Sequence, residues 1–143
     1  MNVQRSTSNA QHSANGKNFD LEDRLLEYAA SVIRLVERIP RTPAGAHVAG
    51  QVLRSASSPL SNHGEAQAAE SVDDFIHKLS VCLKELKESR RWLRLIVRVP
   101  LLKPESQVDP LLNETEEHIR IFSASIRTAQ KRKLEGKRAV SLR

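Results

Sequence analysis

Five basic side chains recur at helical spacing between residues 84 and 98, and they are the residues best suited to bind a charged ligand. Their separations of three, four, three and four residues place them on one face of a helix, over about 21 Å. No acid interrupts this set, which we call the basic row: Lys84, Lys87, Arg91, Arg94 and Arg98. A row of cations of this kind is able to bind phosphate groups or an acidic protein surface.

The alternative interpretation of the basic row is an ordinary solvated helix face. Acidic residues one turn away would then neutralise the cations in local pairs, such as Lys84 with Glu88. The net charge of +6 and the pI near 9.9 favour an anionic partner, with nucleic acid the first candidate. Aromatic residues make up only 3% of the chain, too few for a base-stacking platform, so phosphate contacts are expected.

Residues for catalysis or metal binding are sparse in the sequence. Asp74 and His77 distantly resemble one Glu-x-x-His pair of a di-iron bundle, and no second pair completes the site. Cys82 falls on a predicted core face, where a thiol packs as a small hydrophobe. The sequence has no glycine-rich phosphate loop and no nucleophile elbow. It therefore predicts neither an enzyme nor a metal site nor a cofactor.

Hydrophobic periodicity predicts four helices, which run over about residues 19–39, 43–70, 72–99 and 106–130. Thr42 and Ser71 are the expected N-caps of the second and third helices. Pro59 lies inside the second helix, where it removes a backbone hydrogen bond, so we expect a kink or a short break near Ser57 and Ser58.

Four helices joined by short loops favour an all-α fold, an antiparallel up-down-up-down four-helix bundle over residues 19–130. Residues 1–18 are polar and are expected to be a disordered leader, and the basic residues 131–143 are expected to be a frayed, flexible tail. A single cysteine, no signal-peptide pattern and no long apolar run predict a cytoplasmic protein without a membrane span.

The third helix carries one more apolar face than its own bundle needs. One face is expected to lie in the core, and its members are Phe75, Leu79, Cys82, Leu86, Leu93 and Val97. A separate apolar sector is expected to contact another copy of the chain, and its members are Val81, Trp92, Leu95 and Val99.

Several short segments carry a family resemblance: Ile39-Pro40, Ala49–Ala56, Asn62, Glu65-Ala66, Ala69–Ser71, Asp74–Leu79, Leu83–Glu88 and Trp92-Leu93. Together they resemble the four-helix bundle family of 23S rRNA intervening-sequence proteins, over about residues 19–130. The resemblance implies a homopentameric ring associated with ribosomal RNA insertions. A related branch, the accessory variability proteins of diversity-generating retroelements, implies binding of a reverse transcriptase and of nucleic acid through a basic surface.

The leading hypothesis is a non-enzymatic bacterial protein that self-associates and binds nucleic acid, RNA in the first instance, through the basic row. One alternative is a scaffold that recruits a protein partner such as a reverse transcriptase. A further alternative is an orphan bundle with only a structural role, which would be monomeric and would have no partner.

Overall fold

The computed structural model describes residues 17–142, with side chains from Leu21 onward, and this part of the chain is helical throughout apart from short connections. The predicted leader lies outside the described residues except for its last two members. A short 3-10 turn, Glu105–Val108, precedes the last of the four helices: α1 (Lys17–Val36), α2 (Pro43–Gln67), α3 (Val72–Arg98) and α4 (Asp109–Ser141). The prediction of an all-α fold with four helices is confirmed.

Two helices begin at the hydroxyl caps predicted from the sequence. The backbone N–H of Gly45 donates to Thr42 Oγ1 over 3.0 Å, and the backbone N–H of Asp74 donates to Ser71 Oγ over 3.0 Å. Each bond satisfies an N–H that the helix itself leaves without a partner. Pro43 occupies the first position of α2, where its missing N–H costs nothing.

Contacts between neighbouring helices show that they run in opposite directions. Along α3, Asp73 near its start pairs with Lys133 of α4, whereas Arg90 near its end pairs with Glu116 at 3.0 Å. Residue numbers therefore fall along α4 as they rise along α3. The same reversal relates α2 to α3 through the pairs Glu65–Lys78, Pro59–Cys82 and Arg54–Glu85.

The core lies between the four helices, and α3 contributes most of the side chains predicted for it. Four of its six predicted core residues are buried, and Phe75 and Val97 are partly buried against the same cluster. The sequence pattern missed Ser89 and Ile96, which are both fully buried. Ser89 Oγ lies 2.8 Å from Ser55 Oγ of α2, so a small polar contact replaces an apolar one here.

The short break, one of the two outcomes predicted at Pro59, is wrong, because α2 passes through this residue without interruption. Pro59 is buried against α3, and its carbonyl oxygen accepts a hydrogen bond from Cys82 Sγ at 3.7 Å. Asn62 Nδ2 donates to the carbonyl oxygen of Ser58 at 3.1 Å, one turn apart. These contacts hold the helix around the missing N–H, so packing offsets the cost of the proline.

The predicted end of the last helix near Gln130 is also wrong, because α4 continues to Ser141. Ala129 is buried, and the ion pair between Lys133 and Asp73 ties the extension to the start of α3. Lysine, arginine, leucine and alanine in this segment are good helix formers, and cations suit a helix C-terminus. None of the described helices is long and apolar enough to span a lipid bilayer.

Candidate nucleic-acid interface

The basic row lies on the outward face of α3, away from the side chains that this helix buries. Its five cations are all exposed, whereas Leu86 and Leu93, which lie among them in the sequence, are buried. Helices α2 and α4 both pack against α3 on its other sides. The bundle therefore fixes the direction of the row by burying the opposite face of the same helix.

The cations of the basic row have no acidic partner in the part of the chain that the structure describes. All the ion pairs between residues 21 and 142 involve other side chains. Arg90, which lies between two members of the row in sequence, turns toward α4 and binds Glu116. The row therefore presents five uncompensated positive charges to solvent.

Arg54 of α2 is the reason that the nearest acids do not neutralise the row. Its guanidinium donates to Glu85 at 3.1 Å and to Glu88 at 2.5 Å, which draws both carboxylates toward α2. Glu88 also accepts a hydrogen bond from Trp92 Nε1 at 3.3 Å. The pairing of Lys84 with Glu88, expected for an ordinary solvated face, is therefore not formed.

The predicted apolar sector divides into two parts. Val81 and Trp92 are partly buried, and the Trp92 ring lies edge-on to His47 of α2, with ring centroids 5.9 Å apart. Leu95 and Val99 are exposed at 37% and 53%. Trp92 is thus partly packed within its own chain, and Leu95 and Val99 remain as an apolar surface beside the C-terminal half of the basic row.

The sequence analysis missed a polar cluster between α1 and α4. Arg24 donates two hydrogen bonds to Glu114, at 2.9 and 3.1 Å, and Glu114 Oε1 lies 3.0 Å from His118 Nε2. Next to this cluster, the Tyr28 hydroxyl lies 2.6 Å from Thr115 Oγ1. The spacing of four residues between Glu114 and His118 was the only signal in the sequence.

This cluster is built for packing rather than for chemistry. Burial raises the pKa of Tyr28 to about 12, so its hydroxyl stays protonated near neutrality. Thr115 Oγ1 donates to the carbonyl oxygen of Leu111 at 2.6 Å, which leaves the Tyr28 hydroxyl as the donor to Thr115. Both hydroxyl groups are therefore occupied in structural hydrogen bonds.

The candidate metal and nucleophile residues are not brought together. Asp74 lies in the first turn of α3 and His77 is exposed, and no group of three or more potential metal ligands occurs between residues 17 and 142. Burial raises the pKa of the Cys82 thiol to about 12, so the thiolate needed for nucleophilic attack is not formed near neutrality.

Comparison with known proteins gives a family match and similarity to solved structures. Residues 17–124 match the family model described as 23S rRNA-intervening sequence protein. The chain is also similar to a protein with unknown function from the S23 ribosomal protein family of Bacteroides thetaiotaomicron VPI-5482, solved at 1.70 Å. The two are 31% identical, with a TM-score of 0.68, over 73% of this chain and 96% of that one. No curated protein is significantly similar.

Proposed function

Because the chain belongs to the 23S rRNA-intervening sequence protein family, we propose that it is a non-enzymatic protein of the bacterial cytoplasm that binds nucleic acid, RNA in the first instance, through the basic row. The observation that carries this proposal is the set of five exposed cations without a carboxylate partner in the described residues. Successive members lie about 5 Å apart along the helix axis. The row is therefore suited to follow a phosphate backbone.

The binding is expected to depend on charge more than on base identity. The only tryptophan is partly packed against α2, and aromatic residues make up 3% of the chain, so the described surface offers few rings on which bases stack. If four phosphates of a single strand are neutralised, a plot of the logarithm of RNA affinity against the logarithm of salt concentration has a slope of about −3. A slope close to zero would contradict phosphate binding.

The proposed function includes self-association, and the resemblance points to a pentamer. We assign the contact to the predicted apolar sector, in which Leu95 and Val99 are exposed and Val81 and Trp92 are partly exposed. Repeating one basic row around an assembly raises the affinity for a long nucleic acid, because the second contact becomes intramolecular.

Charge reversal tests the basic row directly. The variant Arg91→Glu with Arg94→Glu is expected to lose retention of labelled RNA on a filter. Conservative replacement of both residues by lysine is expected to keep most of it, because the charge is retained. A matched control, Arg34→Glu with Arg38→Glu, makes the same change in net charge at the end of α1 and in the turn that follows it, and it should retain RNA. Unchanged retention by the Arg91 and Arg94 reversal would overturn the proposal.

A protein-interaction scaffold is the second candidate, and the apolar side chains of Leu95 and Val99 beside the cations favour it. The occupant would then be an acidic or helical protein surface, for example that of a reverse transcriptase. A pull-down with such a partner after nuclease treatment separates the two functions, because a direct protein contact survives and a contact bridged by RNA does not. An orphan bundle predicts a monomer and no partner, which light scattering tests.

A further inference from the structure

A groove of about 650 Å³ opens at the end of the bundle where α3 begins and α4 ends. Its floor includes Val72 and Phe75 from the first turn of α3 and Val140 from the last turns of α4. Val72 is 52% exposed and Val140 is 73% exposed. The groove exists because α4 continues past the start of α3, which contradicts the sequence prediction of a frayed tail.

The floor prolongs the apolar face that α4 uses inside the bundle. Phe122 and Ala129 are buried on that face, and Gly136 and Val140 follow at the same helical spacing. A Cβ atom at Gly136 would meet nothing within 4 Å, so this part of the floor is open to the close approach of another helix. An apolar strip of this kind on an otherwise charged helix marks an interaction surface.

The rim of the groove is positive on both sides of the apolar strip. Arg132 lies on one side, and Lys133 and Lys137 lie on the other, all lining the same groove. Asp73 is the one carboxylate paired with them in the described residues, and it binds Lys133. The groove therefore fits a helix whose apolar stripe is bordered by acids, and the apolar floor makes it a poor phosphate site.

The outward face of α1 has this chemistry. Leu26 is 54% exposed and Ile33 is 43% exposed, although both lie on a helix whose other side forms the core. Three exposed carboxylates border them, two in α1 and one in the turn that follows it, and none forms an ion pair within residues 21–142: Glu22, Asp23 and Glu37. This acidic face extends over about 22 Å, compared with about 16 Å for the groove floor from Ala129 to Val140.

We infer that the groove of one copy receives the acidic face of α1 from a second copy. The inference rests on the proposed self-association only in that it requires more than one copy of the chain, because the two contacts use different surfaces. Groove and acidic face are separate parts of one chain, so the contact is head-to-tail and leads to a ring or an open array. Seven of the nine residues that line the groove lie beyond residue 124, where the family match ends, so this contact would be specific to chains with this extension.

The sequence of residues 1–16 does not offer a competing occupant of matching charge. Those residues contain Arg5 and no aspartate or glutamate, so they cannot complement a positive rim. The basic row cannot occupy the groove of a neighbour for the same reason. The acidic face of α1 combines two exposed large apolar side chains with three acids that form no ion pair within residues 21–142.

A charge-swap experiment tests the contact. The face variant carries Glu22→Lys with Glu37→Lys, and the groove variant carries Arg132→Glu with Lys137→Glu, which leaves the Asp73–Lys133 pair intact. Each variant alone is expected to sediment at a lower mass than the wild-type assembly, because like charges then oppose each other at the groove. An equimolar mixture is expected to associate again, since each variant supplies the charge that the other one needs, and this recovery also shows that both are folded.

The control for charge is Lys131→Glu with Arg138→Glu, which changes the opposite side of the α4 extension by the same amount and should keep the wild-type mass. A groove variant with the wild-type mass, or a mixture that does not associate, would overturn the inference. If the face and groove variants keep the wild-type mass while Leu95→Asp with Val99→Asp disperses the assembly, the contact through α3 stands and the groove contact is wrong. A larger mass after removal of residues 2–16 would also overturn it, because the leader would then cover the groove.

Discussion

His118 Nε2 lies 3.0 Å from Glu114 Oε1, although the side chain of His118 is fully buried. The contact lacks the direction of a hydrogen bond, and Nδ1 of the same ring has no hydrogen-bond partner in the described structure. Burial lowers the pKa of His118, with the charge of Arg24 acting in the same direction, while Glu114 and Glu117 oppose the shift. His118 is therefore held in its neutral form inside the bundle.

The stability of the bundle is expected to fall as the pH drops below about 6.5. Burial also lowers the pKa of His63, and the charge of Glu22 opposes this shift. His63 and His118 therefore both bind protons more readily in the unfolded chain than in the folded one. The free energy of unfolding then decreases toward acid by at most about 1.4 kcal/mol per pH unit for each histidine. Urea unfolding at pH 7.5, 6.5 and 5.5 measures this slope.

The histidine substitutions provide the control for this pH dependence. His118→Gln and His63→Gln should each flatten the slope between pH 6.5 and 5.5, where the surface carboxylates are still ionised. A free energy of unfolding that rises as the pH falls from 6.5 to 5.5 would contradict the assignment, because it would require histidines whose pKa is raised in the folded state.

Gly45 is the glycine whose replacement is expected to destabilise the fold most. A Cβ atom at this position would lie 2.1 Å from the carbonyl oxygen of Pro40, and backbone cannot move aside as a flexible side chain can. Gly45→Ala is therefore expected to cost about 2 to 3 kcal/mol. Gly50→Ala is the matched control, because it lies in the same helix with open space around it, and it should stabilise by up to about 1 kcal/mol. Thermal unfolding of both variants checks the opposite signs.

The features that the sequence predicts correctly depend on nearby residues. The hydroxyl groups of Thr42 and Ser71 cap their helices by accepting hydrogen bonds from backbone N–H groups three positions later in the sequence. The exposure of the basic row follows from the spacing of its residues alone. The continuity of α2 at Pro59 and the length of α4 were not predictable in this way. They depend on contacts with α3, through Cys82 and Asp73, which lie far away in the sequence.

The candidate site shows the same limit. The positions of its cations follow from helical period, but the absence of neutralising acids follows from Arg54, 31 residues before Glu85. No local signal shows that the guanidinium of Arg54 binds two carboxylates of α3. The partial burial of Trp92 likewise depends on His47 of another helix.

The buried serines at the contact of α2 with α3 are expected to be coupled. Ser89 Oγ lies 2.8 Å from Ser55 Oγ, and both side chains are fully buried. Ser89→Ala should cost about 1 kcal/mol, because it removes a buried hydrogen bond. The double variant with Ser55→Ala should cost less than the sum of the single variants, since no hydroxyl is then left without that partner. Additive costs in urea unfolding would show that the two hydroxyls do not interact.

Arg54 is expected to control nucleic-acid affinity without belonging to the basic row. Arg54→Gln frees Glu85 and Glu88, which then lie beside Lys84 and Lys87 and oppose the approach of phosphate. The expected loss of RNA affinity is about threefold, equivalent to roughly 0.6 kcal/mol.

The triple variant separates this effect from a direct contact of Arg54 with RNA. Adding Glu85→Gln and Glu88→Gln to Arg54→Gln removes the freed carboxylates, so affinity should return to at least the wild-type value. Titration of labelled RNA at fixed salt measures the RNA affinity of the wild-type protein, of Arg54→Gln and of the triple variant. If the triple variant stays as weak as Arg54→Gln, the side chain of Arg54 binds phosphate itself, and its role in holding the two acids does not determine the affinity.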